Sequence, residues 1–148
     1  MPWRDVDYLA LLEENGPMLD EDLAQDMDVS VSEVRRHLAS HIRDGRVVLL
    51  KQPNGSWHLS LTETGSATVA GERMQYALLR ALRDGGERTA LDLAQDASLD
   101  RPAVFELLRF LDQGAWISGY RQDDPLASIA ITSRGLRRLE AGEARGFA

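Results

Sequence analysis

The feature that most limits how this chain can fold is an internal repeat. Leu23-Ala24-Gln25-Asp26 recurs as Leu93-Ala94-Gln95-Asp96, a shift of 70 residues. At the same shift Val34 meets Val104, Leu38 meets Leu108, and Thr62-Glu63-Thr64-Gly65 meets Thr132-Ser133-Arg134-Gly135. Anchors repeated in one order along both halves mark two copies of one unit, meeting near Gly71. Two domains are therefore expected in the 148 residues, 1–70 and 71–148.

In the first copy, Pro2 to Asn15 reads as a helix. Val6, Leu9 and Leu12, with Tyr8 and Leu11 alongside, make its apolar stripe, and Asn15-Gly16-Pro17 stops it. Asp20 is placed to cap a short second helix, Glu21 to Met27, that buries Leu23, Ala24 and Met27. After a tight Asp28-Val29-Ser30 connection comes a third helix. Ser30 and Ser32 are its candidate N-caps, Val34, Leu38 and Ile42 its inward stripe, and Gly45 its left-handed end. Val47–Gln52 and Trp57–Leu61, joined by Pro53-Asn54-Gly55-Ser56, carry the strongest short-range hairpin signal. Thr62 then caps a further helix, expected to break or end near Gly71.

Two short helices followed by a hairpin describe a helix-turn-helix with a wing. The expected fold class is mainly α with small β-hairpins (α+β), as two tandem winged helix-turn-helix units. In the second, Met74–Leu82, Ala90–Ala97 and Pro102–Gln113 would be the helices. Trp116–Arg121 and Ser128–Thr132 would be the wing strands, joined by Gln122-Asp123-Asp124-Pro125.

With the apolar stripe of the third helix inward, Arg36, Ser40 and Arg43 point outward beside Ser32, and Arg35 and His37 flank them. Arginine pairs bidentately with guanine or clamps a phosphate, and serine donates to either. Lys51, Asn54 and His58 lie where a wing meets the phosphate backbone. The candidate DNA-binding set is thus Ser32, Arg35, Arg36, His37, Ser40, Arg43, Lys51, Asn54 and His58; a solvated amphipathic helix is the plainer alternative. The net charge of −7 argues against a general nucleic-acid coater. Between Glu33 and His58, however, five cationic residues face two acidic ones, so the basic charge is local.

The second copy differs. Val104, Leu108 and Leu111 point inward, but Ala103, Leu107 and Phe110 form an apolar stripe turned sideways and outward, and the wing tip is acidic. Counterion release from DNA needs positive charge. This surface is a candidate protein interface, for dimerisation or a partner. The alternative is that Phe110 packs within the chain.

Other classes find little support. The absence of cysteine removes disulfides and thiolate ligands. No HExxH, phosphate-cradling glycine loop or spaced metal-ligand set is present, and adjacent Ser40 and His41 diverge on a helix by about 100°. Neither an enzyme nor a metal or cofactor is expected. With no apolar run near the roughly 20 residues of a membrane span and no signal-peptide pattern, a cytoplasmic protein is expected.

The order of helices and hairpin, with Thr-x-x-Gly opening the last helix, resembles winged-helix transcriptional regulators of the MarR and PadR kind. The opening Met-Pro-Trp, the run Asp28–Arg46, Leu61-Thr62-Glu63-Thr64-Gly65 and Ala70-Gly71-Glu72 are similar to phage-repressor-like winged-helix proteins of haloarchaea. The resemblance implies that Ser32, Glu33, Arg35, Arg36 and Ala39 approach base edges, and that Arg43 and the wing approach phosphates. Two positions depart from the pattern: His41 stands where these families place a core leucine, and Arg46 where they place an apolar residue. His41 is expected to be a hydrogen-bonded structural histidine whose partial burial depresses its pKa. The expected function is sequence-specific binding of double-stranded DNA by a homodimeric regulator, a repressor. The alternative is a tandem winged-helix protein-interaction module, as in the kleisin-associated subunits of bacterial condensin and in endosomal sorting complexes.

Overall fold

A computed structural model describes residues 3–97 and 100–146. The chain divides into two compact units, Met1–Gly71 and Glu72–Ala148. It is mainly helical with two small antiparallel sheets.

In the first unit, α1 (Asp5–Asn15) begins at Arg4, whose backbone N–H donates to the Asp7 carboxylate at 2.7 Å. Pro2, the expected start, lies outside the described residues. A two-residue strand β1 (Met18–Leu19) follows, which the sequence pattern did not announce. α2 (Asp20–Met27) ends in a left-handed Asp28, φ 55°, and the Val29 N–H closes back on the Ala24 carbonyl at 3.0 Å. Asp20 is a correction: it is the first residue inside α2, fully buried, rather than its cap.

α3 (Val31–Arg43) is capped by Ser30, whose hydroxyl accepts from the Glu33 N–H at 3.1 Å, so Ser32 has no capping role. Its buried side is Val34, Leu38 and His41, with Ile42 only half-buried; the stripe is rotated slightly from the expected one. Gly45, at φ 79°, takes the left-handed position, and the Arg46 N–H bonds the His41 carbonyl at 2.8 Å. The hairpin is β2 (Val47–Lys51) and β3 (Trp57–Leu61), with β3 central in the order β1-β3-β2. β2 is consequently an edge strand.

α4 (Glu63–Gly85) corrects the expected break at Gly71: it is one helix of 23 residues. A glycine inside a helix costs only about 1 kcal/mol relative to alanine, too little to end so long an element. The remaining elements are α5 (Ala90–Ala97), α6 (Arg101–Gln113), β4 (Ile117–Ser118), β5 (Ala130–Ile131) and α7 (Ser133–Ala144). The two wing strands expected in the second unit are thus cut to two residues each.

The 70-residue shift governs element boundaries: α2 maps onto α5 and α3 onto α6 at both ends. It governs the core as well. Leu9, Leu12, Leu23, Val34, Leu38, Val47, Leu59 and Val69 are buried, and so are Leu79, Leu82, Leu93, Val104, Leu108, Ile117, Ile129 and Leu139. The hairpin exit is the tightest match. The Thr62 hydroxyl donates to the Gly45 carbonyl at 2.6 Å and accepts from the Gly65 N–H at 3.1 Å. The Thr132 hydroxyl does the same with the Ala115 carbonyl at 2.7 Å and the Gly135 N–H at 3.0 Å. A Cβ at Gly65 or Gly135 would run into the carbonyl oxygen of Arg46 or Trp116, so a hydrogen is all that fits.

Candidate nucleic-acid interface

The outward surface of α3 is narrower than the sequence suggested, because Arg35 and His37 are held by other elements. The Arg35 Nε donates to the buried Asp20 carboxylate at 2.8 Å, and a second guanidinium nitrogen donates to the Gly55 carbonyl at 2.9 Å. The same guanidinium lies 4.6 Å from the Trp57 ring centroid. Asp20 also accepts from the Glu21 and Trp57 backbone N–H groups, at 2.9 and 3.2 Å. Arg35, expected among the DNA contacts, therefore ties α2, α3 and the hairpin tip together within the unit. The sequence signal was present in hindsight: an acid at the start of α2 and an aromatic at the start of β3, both lying near Arg35 once folded.

His37 is likewise drawn toward α1. Its Nδ1 lies 2.6 Å from an Asp5 carboxylate oxygen, and its ring stacks on Tyr8 at 4.8 Å. Its side chain, expected among the DNA contacts, packs between α3 and α1. His41 is buried, as a structural histidine requires. Arg46 Nε donates to its Nδ1 at 2.7 Å, so Nδ1 must be the unprotonated nitrogen, and the proton on Nε2 goes to the Asp5 carbonyl at 2.9 Å. His41 and Arg46 are thus bonded to each other. Burial is the main reason the His41 pKa is lowered, with the Arg46 charge adding to it against the Asp5 carbonyl.

The remaining candidates stay at the surface. The Arg36 side chain is 69% exposed and pairs with Glu33 of its own helix at 3.2 Å. The Arg43 side chain is 75% exposed and reaches Asp44 at 3.3 Å. Asp44 also takes Arg46 at 3.0 Å, and these two guanidinium groups hold its carboxyl below the usual range. Ala39 is exposed between the two arginines, Ser32 is exposed one turn before Arg36, and Ser40 is half-buried. Arg36 and Arg43 are seven residues apart, two turns along one face.

At the hairpin, Lys51 and Asn54 are exposed. The Asn54 carboxamide oxygen accepts from the Ser56 N–H at 3.0 Å, and Gly55 supplies the positive φ of 90° that the turn needs. The Ser56 hydroxyl bonds the Glu21 carboxylate. His58 sits half-buried in the central strand opposite Leu19 and Leu50, one pair in from the Lys51–Trp57 pair that closes the turn. Sequence reasoning overlooked the outer face of β2, where Val48 and Leu50 are 55% and 61% exposed.

In the second unit Ala103 and Leu107 are half-buried and Phe110 is exposed, its ring tilted against Trp116 at 5.5 Å. Leu126, which the sequence reading did not single out, is also exposed. Among the described residues no helix is long and apolar enough to cross a membrane.

No family model matches the sequence, and no curated protein matches it. Among solved structures the chain is similar to ScpB from Mycobacterium tuberculosis, at 18% identity and a TM-score of 0.37 over 94% of this chain and 98% of that one. It is also similar to the mRNA-binding domain of elongation factor SelB from E. coli, determined with SECIS RNA. There the identity is 11% and the TM-score 0.33 over 85% of this chain and 98% of that one.

Proposed function

We propose that each unit is a winged helix and that the chain is a tandem winged-helix regulator, a repressor that binds double-stranded DNA as a homodimer through its first unit. The observation that carries this reading is the outward surface of α3, where Arg36 and Arg43 stand exposed two turns apart with Ala39 between them and Ser32 one turn before Arg36. A helix held from below by a buried stripe and presenting guanidinium and hydroxyl groups suits a major groove. Lys51 and Asn54 at the hairpin add two contacts suited to phosphate. At the shifted positions α6 carries Pro102, Glu106, Arg109 and Gln113, which is why DNA contact is assigned to the first unit alone. The second unit then supplies dimerisation or partner docking through Phe110.

The test is binding of the full chain to fragments of its own upstream region across a salt titration. Saturable binding to one fragment, with log affinity falling steeply in log salt, is expected. Arg36→Ala should cost about 1–3 kcal/mol of discrimination between that fragment and an unrelated one. Its melting temperature should hardly move, because an exposed i,i+3 pair is worth only a few tenths of a kcal/mol. Undiminished binding by Arg36→Ala would remove α3 as the reading element.

A second reading, a protein-interaction module without DNA binding, is favoured by one specific observation. Val48 and Leu50 expose apolar side chains on an edge strand, where another chain could add on. Absence of preference for any fragment at low salt would select it.

A further inference from the structure

Glycine follows both asparagines of the chain, Asn15-Gly16 at the end of α1 and Asn54-Gly55 at the hairpin turn. Asparagine before glycine is where a chain can modify itself, because the next residue has no Cβ to shield its nitrogen from the side-chain carbonyl. The structure treats the two pairs differently.

Asn15 closes a helix, where side chains lean toward the N-terminus and so away from the nitrogen that follows. Its carboxamide has no hydrogen bond among the described residues. Asn54 folds the other way, and its carboxamide oxygen accepts from the Ser56 N–H at 3.0 Å. A side-chain turn of this kind carries Cγ back toward the following nitrogen, that of Gly55. The Ser56 donor also sits where negative charge gathers when Cγ is attacked. The two nitrogens themselves are held alike, Gly16 by the Leu12 carbonyl and Gly55 by the Gln52 carbonyl, each at 3.0 Å. The difference therefore lies at the carboxamide. Asn54 and Gly55 are both exposed, so water reaches them.

We propose that Asn54 deamidates spontaneously and that the product withdraws the first hairpin from DNA. The Gly55 nitrogen loses its proton to water and attacks Asn54 Cγ. The side-chain nitrogen leaves as ammonia, and a succinimide closes. Water then opens either of its carbonyl–nitrogen bonds, giving aspartate or isoaspartate. The net reaction consumes water and releases ammonia, with no change of oxidation state. From Lys51 to Ser56 the only charge is that of Lys51, and the new carboxylate cancels it. Isoaspartate also lengthens the main chain in the turn whose Gly55 carbonyl holds Arg35. Less positive charge means weaker phosphate contact. This consequence rests on the first unit binding DNA; the chemistry does not.

The test ages the full chain at mildly alkaline pH, folded in buffer and unfolded in urea. Mass spectrometry then follows the tryptic peptides Asp5–Arg35 and Gln52–Arg73 for conversion of carboxamide to acid. In the folded chain Asn54 should convert several-fold faster than Asn15, and in urea the two rates should come together. Aged protein should lose affinity for its DNA fragment in step with conversion at residue 54. Asn54→Asp should bind several-fold more weakly than the parent, with a salt slope shallower by about one. Asn54→Ser, whatever its starting affinity, should lose none of it on ageing. The proposal is overturned if Asn54 leads Asn15 by no more in the folded chain than in urea, or if converted protein binds as well as fresh. If fresh protein prefers no fragment, the loss of function falls with the DNA reading, while the masses alone decide the chemistry.

Discussion

Position 35 and position 105 occupy the same place in the repeat, and they show how two copies of one frame came to differ. In the first unit Arg35 joins buried Asp20 and Trp57 at the hairpin tip; in the second the three places hold Phe105, Ala90 and Ala127. The first hairpin runs five residues per strand, the second only two. An ionic and aromatic tie between helix and hairpin accompanies the long hairpin, and an apolar replacement accompanies the short one. An ion pair of this kind, its carboxylate fully buried and its guanidinium partly exposed, is weak evidence for stability but good evidence for a fixed geometry.

The comparison can be broken most forcefully at Asp20. Asp20→Ala gives the first unit the residue found in the second, leaving the Trp57 N–H and the Arg35 guanidinium without their acceptor. A loss of about 3 kcal/mol in urea unfolding is expected. If Asp20→Ala and its parent unfold together, the tie is ornamental.

A smaller effect is expected at His41 and Arg46, whose counterparts are Leu111 and Trp116. Because the folded pKa of His41 is lowered, the unfolded chain binds the extra proton. Stability should therefore fall as pH drops through about 6.5, the ordinary histidine value. In His41→Leu that slope between pH 7 and 5 should flatten. A double-mutant cycle with Arg46→Leu should return a coupling of about 0.5–3 kcal/mol. An unchanged slope would assign the acid sensitivity to other groups.

The smallest expected effect is at the helix C-termini. Gly45 has φ 79°, and its counterpart Ala115 holds the same left-handed region at φ 59°. Ala115→Gly should stabilise the protein by about 1 kcal/mol and Gly45→Ala should cost about as much, both read from thermal melts. Equal melts for all three proteins would mean that the left-handed strain is relieved elsewhere.

Much of the fold was legible because it rests on local signals. The Ser30 cap, Gly45, Asn54-Gly55 and the Thr-x-x-Gly exits announce their turns, and apolar spacing announces the helices. β1 was missed because Met18 and Leu19 become a strand only by pairing with Leu59 and His58. The candidate site was read less well for a similar reason. A helical wheel turns Arg35 and His37 toward solvent, but it knows nothing of Asp20 or Asp5, which arrive from other helices. Arg36 and Arg43, whose paired acids lie within three residues, were readable from the wheel alone.

The contacts at Thr62 and Thr132 have a further consequence. Each joins a threonine hydroxyl to main-chain groups, and beneath each a glycine lies against a main-chain carbonyl. Apart from the threonine and the glycine, nothing in that clasp depends on which side chains the helix shows to the outside. The exposed residues of α3 and α6 are therefore interchangeable parts on a mount that the two units share. Four or five surface positions of either helix can be rewritten without disturbing the clasp, provided the threonine and glycine are left untouched.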